Sequence, residues 1–261
     1  MDSESSLNLD YDPKRIDILR FASYMLPFKE YQTKLLNFPI TNCHEPYGLE
    51  GDFFLTFSFY RKGEKFARLD LPVCKQNEFH EFNFDEILSV SESEDPVIMI
   101  AHYSHEKAVP VELYLSNIHR KTGTYLAYPT LSFMGDVLYP SFHDTQLENT
   151  LFWPGLPPSE KIDAQLVVVN PYKLTMEYQI SLYLHDRRRA QSEVLAVGAY
   201  SASVHSISEL FPDEYRECLV HGGSASVCIS AKYKVVAIMT LKNRESGIIT
   251  AVDHLHTYQL V

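Results

Sequence analysis

Glycine and cysteine are scarce in this sequence, which has ten glycines and four cysteines among 261 residues. Phosphate-binding loops depend on glycine, and no Walker, Rossmann, nucleophile-elbow or HExxH pattern is present. The cysteines lie far apart without a CxxC pair, so we expect reduced, mostly buried thiols rather than a disulfide framework. They are Cys43, Cys74, Cys218 and Cys228. These absences weaken the common cofactor-dependent enzyme classes, and we expect no cofactor.

Basic residues and long apolar runs are also few. The chain carries 23 Lys and Arg against 34 Asp and Glu, which gives a formal charge of −11. An acidic surface repels phosphate backbones and anionic lipid, so we expect neither a nucleic-acid nor a membrane partner. No apolar run approaches the roughly 20 residues of a transmembrane helix. The acidic start of the chain lacks the basic and apolar regions of a signal peptide, which predicts a cytoplasmic protein.

The sequence does contain a weak internal repeat and enough apolar residues, 45% of the chain, for a substantial core. Residues 57–60 (FSFY) match 180–183 (ISLY) at a shift of 123, and 120–123 (RKTG) match 244–247 (RESG) at a shift of 124. Further matches are 46–49 on 171–174, 84–88 on 207–211, and Val97, Ala101 and Tyr103 on Val227, Ala231 and Tyr233 at a shift of 130. Because the shift changes only in loops, we interpret the series as a duplicated module.

Each copy reads as a series of short strands. Residues 53–60 and 65–71 flank a turn, as do residues 177–184 and 191–197, and both pairs are typical of hairpins. Strands at this spacing, in units of about 95 residues, favour an immunoglobulin-like sandwich, although no Cys, Trp, Cys pattern is present. We therefore predict an all-β fold of two tandem immunoglobulin-like β-sandwich modules.

The predicted domains are an N-terminal extension at 1–39, module 1 at 40–136, a connector at 137–159 and module 2 at 160–261. Asp12 resembles an N-cap before Pro13, and Ile16, Leu19 and Phe21 with Ala22 follow at roughly helical spacing until Pro27. This spacing predicts a short helix in the extension.

His254 and His256 form the most suggestive local motif. On a strand, positions i and i+2 point the same way, so two imidazoles could begin a metal site. Leu255 matches the apolar Leu131 at a shift of 124, which predicts that Leu255 faces the core and that the histidines face outward. No third ligand is evident, and a solvated histidine pair is the alternative interpretation.

The connector contains a second group of candidates. His143 beside Asp144 could act as a general base, and Glu148 could support it. Aromatic and amide side chains nearby could contact a ligand, with the only tryptophan as a stacking wall. These predicted ligand contacts are Tyr139, Asn149 and Trp153. In the alternative interpretation, Leu151, Phe152 and Trp153 pack between the two sandwiches. The polar residues of the connector then form hydrogen bonds with exposed backbone groups.

Two further motifs are better explained as a surface loop and a solvated turn than as binding sites. His102 and His105 form an HxxH where a strand leads into a loop, with His119 on the next strand, but this context does not constrain zinc geometry. Arg187–Arg189 is a cationic run at a predicted hairpin tip, where a solvated turn is expected.

No complete catalytic set emerges, so we predict a non-catalytic, intracellular binding or interaction protein. Its partner would be a small molecule or a protein, and a homodimer is an open alternative. The rival hypotheses are a cofactor-independent isomerase, cyclase or lyase with a cleft between the modules, and a metal-binding protein that uses His254 and His256.

Overall fold

The fold is mostly β and consists of several antiparallel sheets. A computed structural model describes residues 18–39, 52–71, 74–75, 80–89, 95–104, 111–132, 151–156, 158–231 and 236–257. We call residues 18–132 the first half and residues 151–257 the second half.

The strands of the first half are β1 (Ile18–Met25), β2 (Tyr31–Pro39), β3 (Asp52–Arg61), β4 (Glu64–Asp70), β5 (Cys74–Lys75), β6 (His80–Asn83), β7 (Val97–Ser104), β8 (Val111–His119), β9 (Tyr125–Pro129) and β10 (Leu131–Ser132). Those of the second half are β11 (Leu151–Leu156), β12 (Ile162–Asn170), β13 (Met176–Leu184), β14 (Arg189–Gln191), β15 (Leu195–Val197), β16 (Ser201–Ser206), β17 (Ala225–Ala231), β18 (Val236–Asn243), β19 (Ile249–His254) and β20 (His256–Thr257). The described helices are α1 (Asp85–Ser89), α2 (Ile207–Leu210) and α3 (Pro212–His221).

Both halves have the same strand order. The first half has one sheet in the order β10-β1-β7-β3-β4, with β5 also on β3, and a second sheet in the order β6-β2-β8-β9. The second half has β20-β11-β17-β13-β14, with β15 on β13, and β16-β12-β18-β19. Adding ten to each strand number of the first half gives its counterpart in the second half. The sequence repeat therefore corresponds to a repeat of topology.

The strand pairing corrects one part of the predicted repeat. Phe57 pairs with Ala101 on β7, and its counterpart Ile180 pairs with Ile229 on β17. Ala101 is thus equivalent to Ile229, at a shift of 128 rather than the predicted 130. An error of two residues keeps each side chain on the correct face, since the side-chain period of a strand is two.

The two predicted hairpins are confirmed. β3 and β4 pair antiparallel around the turn at Lys62 and Gly63. In the second half, β13 pairs with both β14 and β15, so the predicted returning strand is present in two pieces.

The predicted N-terminal helix is wrong where the structure describes it. Residues 18–25 form β1, which pairs with β7 through eight successive residue pairs, and residues 31–39 form β2 within the other sheet of the first half. All side chains from Phe21 to Leu26 are buried. A strand buried on both faces has no alternating pattern, and a short apolar run of this kind cannot be told from a buried helix by periodicity. Residues 18–39 are thus integral to the sheets, and residues 1–17 lie outside the described residues.

The two halves pack on each other. Strands β1 and β7 of the first half lie against β12, β16 and β18 of the second half, and β9 lies against β19. The rings of Tyr60 and Tyr200 stack across this junction with centroids 4.5 Å apart. One hydrophobic cluster includes buried residues of both halves. None of the described helices is long and apolar enough to cross a bilayer.

Candidate functional site

The chain changes sheets between the two histidines of the predicted metal site. His254 ends β19 and pairs with Ile238 in one sheet, whereas His256 pairs with Phe152 in the other sheet of the second half. Leu255 between them is 2% exposed, as predicted. The regular strand assumed for the metal site is therefore interrupted at Leu255.

The imidazole of His254 contacts a neighbouring carboxylate. Nδ1 of His254 lies 2.9 Å from Oδ1 of Asp253, which also accepts a hydrogen bond from the backbone N–H of His254 at 2.8 Å. Within the described ranges, no three His, Cys, Asp or Glu residues are grouped so that they could hold a metal ion. The metal site remains a prediction without a third ligand.

The connector candidates are mostly beyond the described residues. This applies to Tyr139, His143, Asp144, Glu148 and Asn149. Trp153 lies in β11, where it pairs with Val227 of β17. The segment 151–156, which the sequence assigned to the connector, is thus the first strand of the second half.

The structure describes parts of the two other motifs. His119 is buried, and its Nδ1 lies 2.9 Å from the hydroxyl of Thr122. Arg188 forms ion pairs with Asp186 at the hairpin tip and with Glu217 of α3. His105 lies outside the described residues. The side chains of Cys218 and Cys228 are described, and both are buried thiols outside any disulfide, as expected.

A cluster that the sequence did not reveal joins the two sheets of the second half. The Tyr178 hydroxyl lies 2.5 Å from Oγ of Ser203 and 2.6 Å from Nε2 of His205. Burial lowers the pKa of His205 and so favours its neutral ring. Burial also raises the pKa of Tyr178. This arrangement orders three polar groups and lacks a described carboxylate to complete a catalytic triad.

The cluster escaped notice because its members are distant in sequence. By strand pairing, its counterparts in the first half are Leu55, His80 and Phe82. Leu55 is buried, and the rings of His80 and Phe82 stack with centroids 6.0 Å apart. The two copies thus fill the same place with an aromatic and apolar group in one half and a polar network in the other.

An open groove lies at one end of the first half, between the β1–β2 turn and α1. It has a volume of about 320 Å³ and is lined by Phe28, Lys29, Asp85, Glu86 and Arg120. Nε of Arg120 donates to the carbonyl oxygen of Phe28 at 3.1 Å, and Nη2 donates to Oδ1 of Asp85 at 2.9 Å. Arg120 therefore fixes both walls of the groove. We call it the end groove.

The arginine matched by the sequence repeat has the same backbone role in the second half. The backbone N–H of Arg120 donates to the carbonyl of Glu30 at 2.7 Å, and that of Arg244 donates to the carbonyl of Lys161 at 2.9 Å. The Arg244 side chain donates to Oγ of Ser208 on α2, the counterpart of Asp85. Glu30 and Lys161 are therefore equivalent, and two positions earlier Phe28 is equivalent to Ser159. The match of Arg120 with Arg244 in the sequence repeat was the signal that could have pointed to this end of each half.

The counterpart of the end groove carries a helix. α3 follows α2 in the second half, and the hydroxyl of Tyr215 accepts a hydrogen bond from the backbone N–H of Ser159 at 3.0 Å. The same hydroxyl lies 3.3 Å from the carbonyl oxygen of Ser159. Tyr215 is buried. The two halves thus differ most clearly at this end.

Comparison with known proteins gives no family. No family model matches the sequence, and no curated protein matches it. A crystal structure of Thermotoga maritima protein 1070 aligns with 42% of this chain and 93% of its own length, at 14% identity and a TM-score of 0.33. β-Glucuronidase 2 of Bacteroides uniformis, in a calcium-binding mutant form, aligns with 91% of this chain at 12% identity and a TM-score of 0.19. The chain spans 25% of that enzyme's length. TM-scores this low support no conclusion about fold or function.

Proposed function

We propose that the protein is a non-catalytic, intracellular binding or interaction protein built from two tandem immunoglobulin-like β-sandwich modules. In this proposal the modules span residues 18–132 and 151–257, so they include the strands β1, β2 and β11 that the sequence repeat did not reach. The support for the architecture is the identical strand order of two antiparallel sheets in each half. The acidic composition supports a protein partner over nucleic acid or an anionic membrane.

The observation that carries this proposal is the end groove. It is open and bordered by charges of both signs, whereas the equivalent end of the second half carries α3. Sandwich domains use end loops and edges for binding because a rigid scaffold holds them in place. The polar side chains that border the groove, Asp85 and Arg120, are held by each other and by the backbone of Phe28. Such a preformed surface suits recognition.

A photo-crosslinking amino acid placed at Lys29 tests the proposal in cells. Lys29 is exposed at the groove, and its matched control is the exposed Glu160 at the equivalent position of the second half. We expect a specific protein to be crosslinked from position 29 and not from position 160. That protein, once purified, should bind the full chain at equimolar stoichiometry in a titration.

The same crosslinking experiment can also contradict the proposal. If position 29 captures no protein that binds the purified full chain, the groove is not an interaction site. Turnover of a small molecule that is lost in His143→Ala, with an unchanged melting temperature, would replace the binding role by the enzyme alternative.

A further inference from the structure

Arg61 is a charged residue on the core face of a sheet. It is directly opposite Val97 of β7, and Phe59, two residues earlier in β3, is directly opposite Met99. Because side chains alternate along a strand, the Arg61 side chain leaves the sheet on the same face as Phe59. Phe59 is fully buried, and its ring packs edge-on against Phe84 before α1. The Arg61 side chain therefore lies at the end of the core of the first half.

Two hydrogen-bond donors of Arg61 have no acceptor. Nε and Nη2 are buried and lack a hydrogen-bond partner among the described residues, although the residue as a whole is only half-buried. These two nitrogens form one edge of the guanidinium, and such an edge binds the two oxygens of a carboxylate with parallel hydrogen bonds. Buried donors that stay unpaired cost free energy. The Nε–Nη2 edge of Arg61 is therefore a place where an acceptor from outside would stabilise the fold.

Other arginines of the chain use the same edge. Nε and Nη2 of Arg68 both donate to Oδ1 of Asp70, at 3.0 Å and 2.8 Å. Nε and Nη2 of Arg189 donate to Oγ of Ser181, at 3.1 Å and 3.0 Å. The fold thus supplies oxygen acceptors to this edge at exposed and half-buried arginines. At Arg61, where burial makes the unpaired donors most costly, the described residues supply none.

The face of the Arg61 guanidinium packs on an aromatic ring at a bulge. Cζ of Arg61 lies 4.7 Å from the centroid of the Phe66 ring. Phe66 is 38% exposed and is the extra residue where the pairing of β3 and β4 shifts register. A bulge residue has no ladder partner, so this side chain can move while the two strands stay paired. The ring of Phe66 therefore gives a ligand a route to the buried edge.

The charge of the β3–β4 hairpin fits one carboxylate. Residues 61–68 carry four basic side chains and one acidic side chain, in a chain whose formal charge is −11. Lys62 and Arg68 are already in ion pairs, and Nζ of Lys65 lies 5.7 Å from the centroid of the Tyr60 ring. One guanidinium edge balances the single charge of a carboxylate, whereas a phosphate group carries about −1.5 to −2 at neutral pH.

We infer that Arg61 binds the carboxylate group of a ligand, with Nε and Nη2 each donating to one of its two oxygens. This site goes beyond the proposed binding function, because it does not depend on the end groove. It would serve equally for a free carboxylate and for an acidic side chain of another protein.

The melting temperature of the full chain tests the site. Sodium acetate replaces sodium chloride at constant ionic strength and at about pH 7.5, where the carboxyl group is ionised. We expect a saturable rise with a dissociation constant on the order of 1–10 mM. Arg61→Lys keeps the charge but loses the two-donor edge, so it should weaken binding about tenfold. Arg68→Lys is the matched control in the same hairpin and should leave the acetate response unchanged.

A second measurement needs no variant. In the ¹⁵N-labelled wild-type chain, one arginine Nε–H signal should shift with acetate at the same half-saturation as the melting temperature. This measurement decides the matter if Arg61→Lys does not fold. The amide of N-acetylglutamic acid, a model of an acidic side chain, is then compared with acetate, and the corresponding glutamine compound is the neutral control. Binding of either carboxylate supports the inference, and the tighter one indicates the source of the ligand.

Four outcomes overturn the inference. They are a melting temperature and an Nε–H spectrum that acetate and the glutamate model leave unchanged, an equal acetate response in Arg61→Lys and Arg68→Lys, equal binding of the glutamine compound, and tighter binding of inorganic phosphate than of acetate. The first outcome together with a destabilised Glu92→Gln, Glu94→Gln double variant would assign the edge to a carboxylate of the chain itself.

Discussion

The hydroxyl of Tyr31 in the first half accepts a hydrogen bond from the backbone N–H of Ile249 in the second half, at 3.1 Å. Tyr31 is fully buried, and its ring also packs edge-on against His119. Burial raises the pKa of the Tyr31 hydroxyl, so it remains neutral and can accept this bond over the ordinary pH range. One side chain thus ties the start of β2 in one half to the edge strand β19 of the other.

Tyr31→Phe should lower the free energy of unfolding by about 1–3 kcal/mol, because the buried N–H of Ile249 loses its acceptor. Urea denaturation of the full chain measures this change. Tyr125→Phe is the control, since Tyr125 is 57% exposed. If both variants lose the same stability, the hydroxyl does not link the halves as described.

Gly63, at the junction of the two halves, allows an independent measurement of the contact between them. Gly63 has φ +84°, and a Cβ there would lie 2.9 Å from the carbonyl oxygen of Ala199 in the second half. Gly123 has a similar φ of +72°, but a Cβ there would meet nothing within 4 Å. The pair separates backbone strain from contact between the halves.

Gly123→Ala should cost about 1–2 kcal/mol from its left-handed backbone alone. Gly63→Ala should cost about 1–3 kcal/mol more, because a backbone carbonyl must move to admit the new methyl group. Thermal and urea unfolding of both variants provide the comparison. Equal losses would mean that the two halves do not approach at this point.

The sequence was sufficient to predict the repeat, the hairpins and the burial of Leu255. The predicted reason for that burial was the match between Leu255 and Leu131, and the structure gives a different reason. The backbone N–H of Thr130 donates to Leu113, and that of Leu255 donates to Ala237. Thr130 rather than Leu131 is therefore the counterpart of Leu255. Both lie where the chain passes from one sheet to the other, and an apolar match in sequence cannot reveal such a switch.

The sequence did not identify the first described strand of either half. β1 and β11 both lie beside the central strand of their sheet, but the sequence placed one in a helical extension and the other in a connector. β1 is buried on both faces over residues 21–25, so it lacks the alternation that marks a strand. The polar cluster around Tyr178 depends on contacts between sheets, which local patterns do not encode.

The half-buried His205 of this cluster predicts a loss of stability in acid. Burial holds the pKa of His205 below the ordinary value of about 6.5. The unfolded chain therefore binds the proton more readily, so the stabilisation is complete above about pH 6.5 and is lost as the pH falls toward the folded-state pKa.

His205→Gln should therefore reduce the difference in unfolding free energy between about pH 7.5 and about pH 5, on either side of the ordinary histidine pKa. Urea denaturation at both pH values measures this difference. His221→Gln is the control, because His221 is exposed at the end of α3 and lies outside this cluster. An unchanged pH dependence in His205→Gln would remove His205 as its source.

Substitution by valine should change the free energy of unfolding differently at two buried threonines of the first half. Oγ1 of Thr33 donates to Oδ1 of Asn117 at 2.8 Å. Oγ1 of Thr130 is buried without a hydrogen-bond partner among the described residues. A buried hydroxyl costs free energy unless it is paired, and valine has nearly the same shape without the hydroxyl.

Thr33→Val should lower the free energy of unfolding by about 1–3 kcal/mol, since it leaves the amide of Asn117 without its donor. Thr130→Val should leave stability unchanged or raise it by about 1 kcal/mol. Chemical denaturation of both variants compares them directly, with similar m-values showing that the unfolded states match. A destabilised Thr130→Val would show that this hydroxyl has a partner, and the sheet switch would then depend on polar contact as well as on packing.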